Sequence, residues 1–162
     1  MFGIVKKIFA IIALSGLPVG SQGVWAEDAK TPAKEEFGSP DEAKQLTESA
    51  VTFFKANGKE KSFAAFNDPK GPFMKKDLYI FVIDDNGYTF THKNPNLVGK
   101  TMLHLKDADG KLMIKSIIEA SKSKSGSWVE YKWMNPVTQK VADKTSYVVR
   151  HDNLIFGCGA YK

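Results

Sequence analysis

The closing stretch of the chain, KTSYVVRHDNLIFGCGAYK from Lys144 to Lys162, predicts two β-strands joined by a tight turn. Its apolar runs, Val148-Val149 and Leu154-Ile155-Phe156, contain the β-branched, aliphatic and aromatic residues that suit a pleated sheet. Asp152-Asn153 supplies turn chemistry between them. We therefore expect an antiparallel hairpin, and it carries three side chains of distinctive chemistry: Lys144, Tyr147 and Cys158.

The other end of the chain has the pattern of a secretory signal peptide. Two lysines precede an apolar run from Ile8 to Leu14, and Val24-Trp25-Ala26 fits a small-x-small cleavage site. The run is too short for a membrane-spanning helix, which needs about 20 apolar residues. We expect residues 1–26 to be removed after Ala26 on export to the periplasm, and residues 27–38 to form a flexible leader.

The amino-acid composition limits the number of domains, the kinds of partner and the disulfide bonds that we expect for the exported protein. The chain has 162 residues, of which 43% are hydrophobic. The part that follows the signal peptide and the leader is long enough to bury a core, and we expect it to form one domain over residues 39–162. The formal net charge is +5, but the lysines are scattered among carboxylates, so we expect no nucleic-acid partner. The single cysteine excludes an internal disulfide.

Helices are predicted in the first half of this domain. Ser39-Pro40-Asp41-Glu42 matches a capping box, and apolar residues then recur at helical spacing as far as Gly58, a predicted helix stop. A short second helix is predicted from Lys59 to Phe66, before a run of turn residues.

The remaining elements predict an α+β fold. The apolar stretch Leu78–Asp84 and the stretch Tyr88–His92 flank Asn86-Gly87, which is a strong hairpin signal. Helical spacing returns from Leu112 to Ser121, and Trp128–Trp133 begins a strand before the closing hairpin. Strands linked by hairpins and clustered apart from the helices indicate an antiparallel sheet.

Neither the acidic loop nor the histidines predict a metal site. If Gly110 takes the invariant glycine position of a calcium loop, Leu105 and Ser116 stand where carboxylates are needed. We expect Asp107 and Asp109 instead to form a turn and cap the third helix. The three histidines lie in separate segments, so we expect no metal and no cofactor.

Five successive motifs resemble the single Cache domain family over roughly Pro40 to Lys162. They are Asn94-Pro95 with Leu97, Gly99 and Lys100, then Leu105–Lys111, Gly126–Trp133, Lys144–Tyr147 and Gly157–Tyr161. Cache domains are PAS-like extracytoplasmic sensor modules of bacterial chemoreceptors and histidine kinases. The resemblance implies a long N-terminal helix packed on a five- to six-stranded antiparallel sheet, whose other face holds a small ligand.

Six residues are candidates for that ligand site. Tyr131 and Trp133 share the inward face of their strand, and the resemblance associates the K-x-S-Y motif with the ligand side. Aromatic walls, several donors and one cation suit a small carboxylate. We expect Lys144 to pair with the carboxylate of the ligand. Hydrogen bonds to the ligand are expected from Tyr147, Tyr131 and His92. Trp133 and Phe81 are expected to form the apolar walls of the pocket. In a flat strand Lys144 and Tyr147 face opposite sides, so both reach one pocket only if the strand twists, bulges or starts late.

Three functions follow from these observations. The first is a periplasmic sensor that binds a small organic ligand, and because the chain ends at Lys162 without an output domain, we expect it to act through a membrane receptor, a histidine kinase or a transporter. The second is a ligand-free interaction module whose pocket is filled by Tyr131 and Trp133. The third is an enzyme with Cys158 as nucleophile, but no activating elbow, oxyanion loop or carboxylate pair accompanies this thiol, so we expect no catalysis.

Overall fold

The computed structural model describes residues 37–162, which contain two α-helices, a short 3-10 helix at Pro95–Leu97 and seven strands. The predicted signal peptide and residues 27–36 of the predicted leader lie outside this range. The elements are α1 Pro40–Asn67, β1 Met74–Lys75, β2 Leu78–Tyr79, β3 Phe81–Asp84, β4 Thr89–Thr91, α2 Met113–Ala120, β5 Ser127–Met134, β6 Val141–His151 and β7 Leu154–Tyr161. Within residues 37–162, no helix combines the length and apolarity that a membrane span requires.

The first helix begins at the predicted capping box, and its helical geometry is interrupted at Gly58, where the sequence predicts a stop. The Ser39 hydroxyl accepts a hydrogen bond from the Glu42 N–H at 3.2 Å, and the Glu42 carboxylate accepts one from the Ser39 N–H at 2.8 Å. Gly58 interrupts the helical geometry with φ 74° and ψ 179°, a left-handed conformation that glycine adopts at little cost. The two segments predicted as separate helices on either side of Gly58 are both helical, but they form one kinked helix, α1.

The closing hairpin forms the centre of the main sheet. The strand order is β4-β3-β7-β6-β5 and every neighbouring pair is antiparallel. Asp152 takes φ 53° in the turn between β6 and β7, and the pairing runs from His151 opposite Leu154 to Lys144 opposite Tyr161. The α+β class and the five-stranded antiparallel sheet are as predicted.

The predicted first strand, Leu78–Asp84, divides at Ile80. Its first two residues pair with β1 in a separate two-stranded sheet, whereas Phe81–Asp84 pairs with β7 and β4 in the main sheet. This division matters for the site because it places Tyr79 beside the main sheet rather than in one of its strands.

Two cores lie on opposite faces of the sheet. Helix α1 covers one face, where Phe66, Phe156 and Cys158 are fully buried. Helix α2 and the segment before it cover the other face, which contains Phe81, Ile83, Met113, Ile117 and Ile155. Because successive strand residues point to opposite faces, Cys158 belongs to the α1 face, while its neighbours Gly157 and Gly159 belong to the α2 face.

Those two glycines make room on the α2 face. A Cβ atom at Gly157 would overlap the Phe81 ring, and one at Gly159 would overlap the Ser146 hydroxyl and the Lys144 side chain. The Gly-Cys-Gly sequence therefore lets bulky side chains from neighbouring strands lie directly over β7.

The acidic loop forms a turn, but the predicted helix cap is wrong. The Asp107 carboxylate accepts hydrogen bonds from the N–H groups of Asp109 and Lys111, and from that of Lys132 in β5 at 3.0 Å. Helix α2 begins at Met113, after Leu112, without a side-chain cap. Because three backbone donors already occupy Asp107, it fastens the loop to the sheet and does not cap the helix.

Candidate functional site

A small cavity of about 20 Å³ lies between the sheet and α2. This volume corresponds to about one water molecule. Most of its wall is apolar, and polar side chains from β2, β4 and β5 complete it. It is lined by Tyr79, Phe81, Ile83, Thr89, His92, Met102, Met113, Ile114, Ile117, Tyr131 and Trp133.

Lys144 lies behind the polar end of this cavity and is only 1% exposed. Its Nζ donates a hydrogen bond to the Tyr79 hydroxyl at 3.0 Å, and lies 4.1 Å from the Tyr79 ring centroid and 4.8 Å from that of Tyr161. Among residues 37–162 it forms no ion pair with a carboxylate. Burial, opposed more weakly by the charges of Cys158 and Asp77, lowers the pKa of Lys144 to about 8. The site thus contains a buried ammonium that two tyrosine rings surround.

His92 is a neutral donor beside this cation. The Asn94 N–H donates to its Nδ1 at 2.9 Å, so the proton of the neutral ring lies on Nε2, which is 3.4 Å from the Tyr79 hydroxyl. Burial, with the Lys144 charge as the next cause, lowers the pKa of His92 to about 3. Tyr79 therefore has the Lys144 ammonium on one side and the His92 Nε2–H on the other.

Tyr131 and Trp133 complete the wall from β5. The Tyr131 hydroxyl hydrogen-bonds the Ser146 hydroxyl at 2.9 Å, and burial raises the pKa of Tyr131 far above its usual value. The Trp133 ring packs edge-on against His92 with 5.9 Å between ring centroids. The inward face predicted for these two residues is the one observed.

The structure places five of the six candidate residues together, but not Tyr147. Tyr147 pairs with Cys158 across the hairpin and shares the α1 face with it. Its hydroxyl donates to the Ser125 carbonyl at 2.6 Å, and Lys44 of α1 lies 5.4 Å from its ring centroid. The expected role of Tyr147 in the ligand pocket is corrected accordingly: β6 is regular from Val141 to His151, so Lys144 and Tyr147, three residues apart, point to opposite faces.

Sequence reasoning missed Tyr79 and Tyr161. The position of Tyr161 beside Lys144 could have been predicted from the sequence, because a hairpin that turns at Asp152-Asn153 places Lys144 opposite Tyr161. Tyr79 carried no such signal. It lies in an apolar run whose two faces both look covered, and only the separate pairing of β2 brings it to Lys144.

Two surface grooves adjoin the site. The first is an outer groove of about 780 Å³, which shares three lining residues with the inner cavity: Tyr79, His92 and Trp133. These three side chains therefore separate the two spaces. Tyr131 and Lys144 border a second groove of about 440 Å³, whose other lining residues are charged. They are Asp107, Asp109, Lys111, Glu130, Lys132, Asp143 and Lys162.

Cys158 has the surroundings of a packing residue. It is fully buried on the α1 face, whereas His92 lies on the opposite side of the sheet, and burial raises the pKa of the thiol to about 12. A nucleophilic cysteine needs thiolate character and a nearby base. Within the described part of the chain, no group of three or more His, Cys, Asp or Glu residues is placed to hold a metal ion.

Several proteins of similar sequence or fold are named as sensory proteins. Over 89 residues, 53% of this chain, it is 37% identical to "Sensor histidine kinase MctS" of Rhizobium johnstonii, but the match spans only 19% of that protein. A methyl-accepting chemotaxis protein from Vibrio parahaemolyticus has a similar fold, with a TM-score of 0.66 and 24% identity over 75% of this chain and 86% of that one. A structure titled "Structural basis for carboxylic acid recognition by a Cache chemosensory domain" has a TM-score of 0.58 and 23% identity, over 75% and 86% of the two chains.

The family model described as Single Cache domain 2 matches residues 30–161. This range includes both α-helices, the 3-10 helix and all seven strands of the structure. The chain belongs to the Single Cache domain 2 family.

Proposed function

We propose that this protein is a periplasmic sensor domain that binds a small carboxylate at the polar end of the inner cavity. The observation that carries the proposal is the buried Lys144 ammonium, which has no carboxylate partner among the described residues. An uncompensated buried charge costs several kcal/mol. A ligand carboxylate would offset this cost by supplying the missing negative charge.

The neighbouring groups favour an anion over a cation. His92 presents Nε2–H, and the Tyr79 hydroxyl is polarised because it accepts a hydrogen bond from Lys144. Tyr79 and His92 line the cavity directly, whereas Lys144 lies behind Tyr79. The carboxylate therefore accepts hydrogen bonds from Tyr79 and His92, and Lys144 provides the positive charge. Phe81 and Trp133 enclose its apolar part.

Ligand entry requires movement of the side chains between the two spaces. The inner cavity of about 20 Å³ is too small for an acid. Tyr79, His92 and Trp133 separate it from the outer groove, so we expect them to shift when a ligand binds. A best-case efficiency of about −1.5 kcal/mol per heavy atom limits a six-atom acid to roughly −9 kcal/mol, so micromolar affinity is feasible and nanomolar affinity is not expected.

Two comparisons support a signalling role through a partner. The similar Cache structure is titled for carboxylic acid recognition, and the relative MctS is named a sensor histidine kinase. We infer that this domain reports ligand binding to a membrane receptor, a histidine kinase or a transporter, and that it is not itself an enzyme.

The small cavity favours a second candidate function. Tyr131 and Trp133 already occupy most of the space where a ligand would lie, since the remaining volume is about that of one water molecule. In this alternative the domain is a ligand-free interaction module whose core is completed by its own aromatic side chains.

A thermal-shift screen of short carboxylic acids, amino acids and amines separates the two candidates. A ligand at a hundred times its dissociation constant adds about 2.7 kcal/mol to the free energy of unfolding. We expect carboxylic acids to stabilise the wild type, Lys144→Met to abolish that shift, and the exposed control Lys140→Met to retain it. If no acid in the panel stabilises the wild type, the ligand-free module is the better description.

A further inference from the structure

Thr89 carries a buried hydroxyl that has no hydrogen-bond partner among residues 37–162. The residue is 0% exposed and lines the inner cavity. Its backbone is fully engaged, because its N–H donates to Lys100 O at 2.9 Å and its carbonyl accepts from the Gly99 N–H at 2.8 Å. Only the Oγ1 atom is left to interact with a molecule in the cavity.

Packing alone does not explain a threonine at this position. Valine has nearly the same shape, and a buried hydroxyl without a hydrogen-bond partner destabilises the folded protein. Two other buried threonines each donate to a backbone carbonyl: Thr91 to Ile80 at 3.3 Å, and Thr47 to Ala43 at 2.9 Å. Within residues 37–162, Thr89 is the only threonine whose buried hydroxyl lacks a partner, and the other such hydroxyl, that of Ser62 on α1, does not line the cavity.

The cavity runs from Thr89 to the donors around Lys144. Thr89 pairs with Ile83, which pairs with Ile155, whereas Lys144 pairs with Tyr131 and Tyr161 at the far end of the hairpin. Between these ends the wall is apolar, formed by side chains such as Phe81 and Ile117. The site therefore has two polar ends separated by an apolar middle.

The spacing of these ends sets the length of a ligand that touches both. Thr89 and His92 are three residues apart, and both line the cavity because the pairing register of β3 and β4 shifts between Thr89 and Thr91. Three residues of extended chain span at most about 10 Å. Two hydrogen bonds of about 2.8 Å each leave about 4–5 Å between the carboxylate and the second polar group of the ligand. An acid of four or five carbons with a hydroxyl or oxo group at its fourth carbon has this length.

We propose that Thr89 is the second anchor of the site and selects acids that carry such a distal oxygen. This inference rests on the proposed function, because it takes the carboxylate to lie at Tyr79 and His92. The Thr89 hydroxyl donates to a ligand oxo group, or exchanges a hydrogen bond with a ligand hydroxyl. An unsubstituted acid still binds by its carboxylate and leaves Thr89 unsatisfied.

The experiment measures dissociation constants by calorimetry for matched ligands: 4-hydroxybutyrate against butyrate, and 4-oxopentanoate against pentanoate. They are titrated into the wild type, Thr89→Val, Thr89→Ser and the control Thr91→Val, whose hydroxyl is bonded to the backbone. One hydrogen bond corresponds to about a tenfold preference for the oxygenated acid. We expect this preference in the wild type, Thr89→Ser and Thr91→Val, and its loss in Thr89→Val through weaker binding of the oxygenated acid alone.

The outcomes distinguish this inference from the proposed function. If butyrate and 4-hydroxybutyrate bind equally well, or if Thr89→Val keeps the preference, Thr89 is not an anchor although the carboxylate site stands. If no acid binds to any variant, the carboxylate site itself is wrong, and the role of Thr89 is overturned with it.

Discussion

The Nζ atom of Lys144 lies 3.0 Å from the hydroxyl of Tyr79, although 65 residues separate the two in the chain. The ammonium also lies over the Tyr79 ring, 4.1 Å from its centroid. A cation–π contact contributes about 0.5–2 kcal/mol, whereas burial of an ammonium costs several kcal/mol. The folded protein thus retains a charge that its own side chains offset only in part.

Replacement of Lys144 by methionine should stabilise the ligand-free protein at pH 7 by about 1–3 kcal/mol. Lys144 has a folded pKa of about 8, below its ordinary value of 10.5, so the unfolded chain binds more protons between these values. The contribution of Lys144 to stability therefore rises with pH across this window. The advantage of Lys144→Met should shrink between pH 8 and pH 10 in urea denaturation. An advantage that stays constant with pH would contradict a buried, titrating ammonium.

His92 should make the protein less stable in acid. Its pKa is about 3 in the folded protein and 6.5 in its ordinary state, so the unfolded chain binds the extra proton between these values. Stability is then lost as the pH falls through this window, by up to about 1.4 kcal/mol per pH unit. We expect His92→Gln to show a shallower loss between pH 6 and pH 4 in thermal melts. Exposed His104→Gln is the matched control and should follow the wild type.

Two tyrosine variants test on which face the ligand binds. Tyr131→Phe removes a hydroxyl bonded to Ser146, and Tyr147→Phe removes one bonded to the Ser125 carbonyl. Each should cost about 1 kcal/mol of stability, because each breaks one hydrogen bond. Only Tyr131→Phe should weaken acid binding in calorimetry, because Tyr131 lines the inner cavity and Tyr147 does not. A weaker affinity of Tyr147→Phe would move the site to the α1 face.

A methyl group at Gly159 should displace Lys144. The added Cβ overlaps the Lys144 side chain and the Ser146 hydroxyl, so Gly159→Ala should push the ammonium away from Tyr79. Such overpacking costs typically 1–3 kcal/mol. We expect Gly159→Ala to fold with reduced stability, measured by urea denaturation, and to lose acid binding. Cys158→Ala, one residue earlier on the opposite face, should keep acid binding.

Cys158 should be unreactive in the native protein. The thiol is fully buried and its pKa is raised to about 12, so almost none is thiolate at neutral pH. Labelling with a chromogenic disulfide reagent should require urea and should follow the unfolding curve. Rapid stoichiometric labelling without denaturant would reopen the enzymatic alternative.

Local signals account for the parts of the fold that sequence analysis predicted. The capping box at Ser39, the break at Gly58 and the turn at Asp152-Asn153 each depend on a few adjacent residues, and all three occur in the structure. The cap of α2 was mispredicted because Asp107 meets Lys132, a residue 25 positions away whose N–H competes for the same carboxylate.

The part of the site that was predicted from the sequence likewise depends on local patterns. Alternation along β5 assigns Tyr131 and Trp133 to one face without any knowledge of the neighbouring strands. Alternation along β6 likewise separates Lys144 from Tyr147, and β6 has no bulge that would bring them together.

The sequence by itself determined the closing hairpin, the α+β class and the alternation of residues along β5 and β6, because turn chemistry and the period of a strand are local properties. Tertiary structure decided that Lys144 meets Tyr79, that Tyr147 faces α1 and that the Thr89 hydroxyl has no partner. These relationships depend on strand order and on the packing of two helices against opposite faces of the sheet. Long-range contacts of this kind leave no periodic trace in the chain.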